Sequence, residues 1–339
     1  MKRIPTLDGW RGVAILLVLL SHAGIALRRV FYLPHANGIG QHGVTIFFVL
    51  SGFLITSRLL AEGEKHGSIS LQKFYIRRFF RLMPCAWAYL ALVSVSVAAS
   101  GHAIAAVYLL PSLFFFRNFV NPSGTHPITG HFWSLSIEEQ FYMVWPSLLI
   151  LAGRKRAAWV AIAGAICIAA YRFHYWGRLS RLPLQATFGT EFRADALLMG
   201  CAAALLLTAL RPFLRAWMTL PLLALLVSCG IEYRHLIPLH ESAAIALLLV
   251  VTSENPHTSF GRALDWKPLA YVGKLSYSIY VWQQYFLLTV HSVLAFAVSL
   301  VVLPMVAFTS YTLIEEPFVR RGKWLCERIG VLSLRRWTA

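Results

Sequence analysis

Apolar residues in this chain neither alternate nor form short amphipathic stripes; they come in long runs joined by brief polar stretches. Ten runs can be drawn, at residues 11–27, 43–60, 83–100, 134–152, 157–173, 194–210, 216–230, 237–252, 269–290 and 292–313. Several approach the ~20 residues with which an α-helix crosses a hydrocarbon layer. In lipid, a single segment meets its own backbone hydrogen-bonding needs only as a helix. The pattern therefore predicts an all-α polytopic membrane protein of about ten transmembrane helices. Residues 104–119 fit less well: they are apolar, but Pro111 interrupts them and Arg117-Asn118 closes them. They are expected to form an outer-face or re-entrant helix, packed against protein.

Composition strengthens this picture. Of 339 residues, 58% are hydrophobic and only 13% charged, and no soluble appendage stands out. One membrane domain is expected over 1–339, with its core at 7–321 and a cytoplasmic tail at 322–339. The net charge of +17 would suit a nucleic-acid binder, but the basic residues gather at the ends of apolar runs and no nucleic-acid motif is present. The positive-inside rule accounts for them. Leaving 104–119 out of the count puts Arg154-Lys155-Arg156 on the same side as Arg58 through Arg81 and the basic tail. Both termini are then cytoplasmic. The segment near 172–193, with Arg172, Arg178, Arg181 and Arg193, disagrees with this topology. The first run follows Met1-Lys2-Arg3 at once and has no clear cleavage site, so it reads as a retained helix. The five cysteines lack a CxxC pair and lie mostly in apolar runs; neither a disulfide framework nor a metal site is expected.

The candidate chemistry starts in the first run. Arg11 and His22 are eleven residues apart, about three helical turns, and share one face. An ionisable residue inside a span costs at least ~2.5 kcal/mol and usually faces protein or a polar cavity. His22 is thus either a buried hydrogen-bonded histidine or a reacting one. In Arg77-Arg78-Phe79-Phe80-Arg81 the arginines form a cationic helix face, suited to phosphates or to lipid headgroups. Ser134-Leu135-Ser136-Ile137-Glu138-Glu139-Gln140-Phe141-Tyr142 brings two adjacent carboxylates into an apolar helix. These can hold a histidine's tautomer or share its proton. Ser51-Gly52 permits close backbone approach in the second run. Ser51, Gln140, Tyr142, Arg193, Asp195, Tyr277 and Gln283 are candidates for a polar substrate path, with helix packing as the alternative for each.

Together these pieces resemble the acyltransferase-3 family of integral-membrane acyltransferases. The resemblance runs from Leu7 to Arg321. It rests on Arg11-x10-His22, Phe47-Phe48-Val49-Leu50-Ser51-Gly52-Phe53, Arg78-x-x-Arg81, Trp133 through Tyr142, Arg193-Ala194-Asp195-Ala196-Leu197, Ser276 through Trp282, and Ile314-Glu315-Glu316-Pro317-Phe318, in family order. It implies transfer of an acyl group, often acetyl, from cytoplasmic acyl-coenzyme A to a hydroxyl of a carbohydrate or lipid-linked glycan, in a bacterial inner or plasma membrane, with no metal. On that reading His22 is general base or transient acyl carrier, and Glu138 orients it, with Glu139 second. Arg78 and Arg81, with Arg77 and Arg11, bind coenzyme A phosphates. Many family members have Trp-His where this chain has Trp282-Gln283. Many also append an extracytoplasmic hydrolase-like domain; none is expected here, so the chain either acylates its acceptor itself or works with a separate transferase. A glycan transporter is the competing reading, and it would consume no acyl-coenzyme A.

Overall fold

A computed structural model describes residues 5–31, 39–102, 104–120, 127–175, 187–232, 239–290 and 292–329. Among them there is no strand, and the chain is built from helices α1 (Pro5–Phe31), α2 (Ile39–His66), α3 (Leu71–Ala99), α4 (Ala106–Leu113), α5 (Phe132–His174), α6 (Thr190–Leu210), α7 (Thr219–Glu232), α8 (Leu239–Glu254), α9 (Ser259–Leu264), α10 (Lys267–Leu288), α11 (Val293–Ser310) and α12 (Glu316–Arg328). All ten apolar runs fall largely within helices. Six helices among the described residues are long and apolar enough to cross a membrane, which does not reach the expected ten. One reason is that α5 contains two of the expected spans, broken at Gly153 with φ 71°. The others are that α7 and α8 are only 14 and 16 residues long, and that α10 carries many hydroxyls and amides along its 22 residues.

Side-chain ties fix how the helices run. Arg154, just past the Gly153 break, bonds Glu64 near the end of α2 and Thr208 near the end of α6. Arg172, in the last turns of α5, bonds Asp195 near the start of α6. The second arm of α5 therefore runs antiparallel to α6. The first arm runs parallel to it, since Gln140 accepts from Thr190 at the start of α6. Arg154, Arg211 with its partner Glu254, and α12 beside the start of α3 all gather at one end of the bundle. This is the basic end. Arg117, Arg172 and Arg193 lie at the other end, but they are buried at 3%, 5% and 4% exposure. Charges spent inside the protein do not report on membrane sidedness, which removes the conflict that Arg172 and Arg193 raised in the sequence. Arg178 and Arg181 lie outside the described residues.

The core helices cross at glycines. A Cβ on Gly52 would stand 1.9 Å from the Leu197 carbonyl, and one on Gly200 2.1 Å from that of Val49. These two residues let α2 and α6 meet backbone to backbone, which is the packing use expected of Ser51-Gly52. Gly273 does the same for α10 against α1, where a Cβ would lie 1.8 Å from the Asp8 carbonyl. Residues 104–119 do not span: α4 has 8 residues, roughly 12 Å of helix at ~1.5 Å per residue. The chain then turns at Phe115, φ 60°, and its Arg117 N–H donates to Ser136 near the start of α5.

Candidate functional site

Helix α3 is longer than the apolar run that announced it. It begins at Leu71, capped by Ser70, whose hydroxyl accepts from the Lys73 N–H. The arginine element, expected as a cationic helix face, is therefore the lower part of the same membrane helix. This carries Arg78 up into the bundle. Its Nε donates to Glu139 Oε1 at 3.1 Å and its Nη2 to Glu138 Oε2 at 3.3 Å. Its guanidinium also sits 3.6 Å over the Tyr142 ring. Glu138 Oε2 accepts in addition from Ser51 at 3.1 Å and from Tyr142 at 3.0 Å. Glu138, Glu139, Arg78, Ser51 and Tyr142 thus form one network. The expectation that Glu138 orients His22 is revised: among the described residues its hydrogen-bonding partners all belong to this network, and none is His22. Its i, i+4 spacing to Tyr142 and its position facing α3 turn it toward the arginine.

Beside this network lies a cavity of ≈ 70 Å³, lined by Arg11, Ser51, Arg78, Arg81, Glu138 and Tyr277 among others. That is room for a few waters or a small polar group. Arg78 is neutralised within the protein, and Arg77 pairs with Glu62 at 2.7 Å. Arg11 and Arg81 have no hydrogen-bonded or ion-paired carboxylate among the described residues, and with Arg58 of α2 they lie within electrostatic reach of one another. Glu315, Asp8 and Glu138 offset part of this charge, yet none of the three guanidinium groups is in an ion pair among the described residues, and their shared positive field suits an anion. Arg58 had been read only as part of the charge bias. Its place beside Arg81 follows from how α2 packs, which no local pattern reveals. Glu315 is a second residue the sequence left without a role. It is 5% exposed on a π-helical turn at Tyr311–Glu315, accepts from Ser278 at 3.0 Å, and lies within reach of Arg81 and Arg11.

His22 stands farther along α1, away from the basic end. Its Nδ1 is buried without a partner, the Gln283 amide lies beside it, and His131 is within electrostatic reach. His22 and Gln283, expected from the sequence, are thus brought together; His131 was missed as a functional residue. The other path candidates are engaged structurally. Gln140 donates to the Phe115 carbonyl and Asn118 while accepting from Thr190. Arg193 holds Gln41 and the Thr187 carbonyl, Asp195 pairs with Arg172, and Tyr277 donates to the Leu82 carbonyl. Outside the spans, burial pushes the Arg117 guanidinium below its usual range.

Residues 4–314 match a family model described as an acyltransferase domain. The peptidoglycan O-acetyltransferase OatA of Listeria monocytogenes is 28% identical, over 83% of this chain and 49% of its own length. The putative peptidoglycan O-acetyltransferase YrhL of Bacillus subtilis is 30% identical, over 99% of this chain and 58% of its own. A putative O-acetyltransferase of Staphylococcus aureus is 27% identical over 95% and 58%. The chain spans about half the length of these curated relatives. No solved structure matches it.

Proposed function

From the premise that this chain belongs to the acyltransferase-3 family, we propose that it moves an acyl group, acetyl by the names of its relatives, from acyl-coenzyme A to a hydroxyl of a carbohydrate acceptor. The acceptor is a cell-wall or surface glycan, polymeric or lipid-linked. The single observation that carries the donor half is the cavity lined by Arg11 and Arg81 at the basic end, neither of them hydrogen-bonded or ion-paired to a carboxylate among the described residues. A coenzyme A phosphate is an anion that forked donors grip well. Arg11, Arg81 and Arg58 hold it. Arg77 and Arg78, engaged by Glu62 and by Glu138 and Glu139, shape the field and the walls. A thioester is activated enough to react without a metal.

The basic end is cytoplasmic on this reading, both termini lie there, and ten helical segments cross a bacterial plasma membrane. His22 then lies toward the far side and acts as general base or acyl carrier. The acceptor arrives from that side, and a separate transferase can take the product onward. The test is direct. Purified protein in liposomes receives acetyl-coenzyme A on the basic-end side and an N-acetylglucosamine oligosaccharide on the other. Free coenzyme A and an acetylated sugar should appear together. Transport of the sugar with no acetyl-coenzyme A consumed would replace this reading by the transporter.

A further inference from the structure

The far end of the bundle holds a set of polar side-chain atoms that are buried and have no hydrogen-bond partner: Thr129 Oγ1, His131 Nε2, Trp282 Nε1, both amide atoms of Gln283, and His22 Nδ1. These residues are neighbours. Tyr89 packs its ring against both His131 and Trp282 at 5.3 Å, Gln283 lies beside His22, and His22 is within electrostatic reach of His131. Each unsatisfied polar atom in an apolar interior costs about 1–3 kcal/mol. Grouped in this way, they are donors and acceptors that a polar guest admitted between the helices would satisfy.

His131 differs from the rest of the set because its tautomer is fixed by its surroundings. Its backbone N–H donates to Gln284 Oε1 at 3.0 Å, and its ring Nδ1 lies 2.9 Å from the same oxygen. A backbone N–H can only donate, so that Gln284 atom is an acceptor. The ring nitrogen facing it must then be the N–H, and the lone pair falls on Nε2. Nε2 is the atom left buried without a partner at hydrogen-bonding geometry, on a residue 1% exposed whose ring the Val281 carbonyl also approaches. Edge contacts from Tyr89 and Tyr280 hold the ring in place. A fixed Nδ1–H with a free Nε2 is the arrangement of a general base. By contrast, His22 has the Gln283 amide beside its ring, and an amide can face a ring nitrogen as donor or as acceptor.

We infer that His131 is the proton acceptor for the acceptor hydroxyl, in a site that also presents Thr129 and Gln283 to the sugar. This rests on the acyltransferase reading and leaves the carrier role to His22. The hydroxyl proton passes to His131 Nε2 as the hydroxyl oxygen bonds to the acyl carbonyl carbon. The bond from that carbon to the coenzyme A sulfur, or to a His22 nitrogen once the acyl group has moved there, then breaks. The departing sulfur or nitrogen takes the proton from Nε2, and His131 is neutral again.

Two measurements test this. His131→Asn keeps a donor for Gln284 and deletes Nε2. It should lower kcat for transfer to an N-acetylglucosamine oligosaccharide by about 100-fold or more, the usual worth of a general base, with the KM for acetyl-coenzyme A unchanged and the protein monodisperse. Turnover within about tenfold of the unsubstituted protein would overturn the inference. Independently of activity, 15N-histidine NMR of the full chain, assigned by difference against His131→Asn, should show an Nδ1–H tautomer at His131 that is lost in Gln284→Leu. An Nε2–H tautomer would overturn it too. Failure of the unsubstituted protein to consume acetyl-coenzyme A would instead refute the acyltransferase reading, and the tautomer still judges His131 separately.

Discussion

The two arginines of the Arg78-x-x-Arg81 element should fail in different ways. Arg78 answers two carboxylates, with side-chain exposures of 20% for the arginine, 14% for Glu138 and 7% for Glu139. Arg78→Gln strands both acids in the bundle. Removing one partner of a buried pair costs about 3–5 kcal/mol, and partial exposure here puts the expectation at the lower end. For a chain of 339 residues, about 3 kcal/mol is a fall of roughly 4 °C in apparent unfolding temperature. Adding Glu138→Gln and Glu139→Gln to Arg78→Gln should restore most of that loss, because no charge then lacks a counter-charge. Arg81 has no hydrogen-bonded or ion-paired carboxylate among the described residues and lies near Arg11 and Arg58. Arg81→Gln trades relief of repulsion with Arg11 and Arg58 against loss of attraction to Glu315, so the unfolding temperature should move little. It removes a charged hydrogen-bonding fork from the donor site, however, which is worth about 1.5–3 kcal/mol. The KM for acetyl-coenzyme A should rise about 10- to 150-fold. Thermal unfolding in detergent and steady-state kinetics on the same preparations measure both. If Arg78→Gln is as stable as the unsubstituted protein, or if Arg81→Gln leaves KM unmoved, the division of labour is wrong.

Three further outcomes are expected. Gly52→Ala should abolish stable assembly, since its Cβ would meet the Leu197 carbonyl at 1.9 Å, whereas Gly164→Ala, which meets only the flexible end of Leu198 at 3.0 Å, should be tolerated; fluorescence-detected size exclusion separates the two. Asp195→Asn should cost about 3–5 kcal/mol by leaving Arg172 without its counter-charge in a site where both are nearly fully buried, read as a lower unfolding temperature. A single cysteine at position 155, in a background without native cysteines, should react with an impermeant maleimide only from the cytoplasmic side; labelling of intact cells at 155 would invert the topology.

The periodicity and charge of single segments were legible in the sequence; the partners across helices were not. The apolar runs located the helices, and Pro111 with Arg117-Asn118 correctly kept 104–119 from being counted as a span. Ser51-Gly52 announced a close crossing. Which face of one helix meets which face of another is not encoded locally, so Glu138 was assigned to His22. Its actual partner Arg78 lies 60 residues away in sequence. The same limit hid His131 and Gln284, separated by 153 residues. It also hid Arg58, which looks like any positive-inside residue until α2 is packed beside α3. The apolar run 83–100 covers only part of α3 for another reason: a helix that emerges from lipid changes composition without changing structure, so hydropathy marks the bilayer boundary and not the helix end.

The placement of Arg11 and His22 on one helix makes a last prediction. Arg11 lines the cavity at the basic end. His22, eleven residues on, lies roughly 16 Å farther along α1 at ~1.5 Å per residue. A donor gripped by Arg11 and Arg81 therefore presents its phosphates well short of the histidine, and only its acyl end has to reach it. Grip and chemistry are separable along one helix. His22→Ala should consequently bind acetyl-coenzyme A as the unsubstituted protein does, seen as an equal rise in unfolding temperature on titration, since ligand binding to the folded state alone stabilises it by mass action. Transfer should fall to background. Arg11→Gln should show the converse: weaker stabilisation by acetyl-coenzyme A, with residual transfer recovered at high donor concentration. Near-normal turnover in His22→Ala would remove His22 from the reaction. Loss of donor binding in that variant would mean that the donor site reaches the far end of α1, and that the separation along the helix is not the one that organises the site.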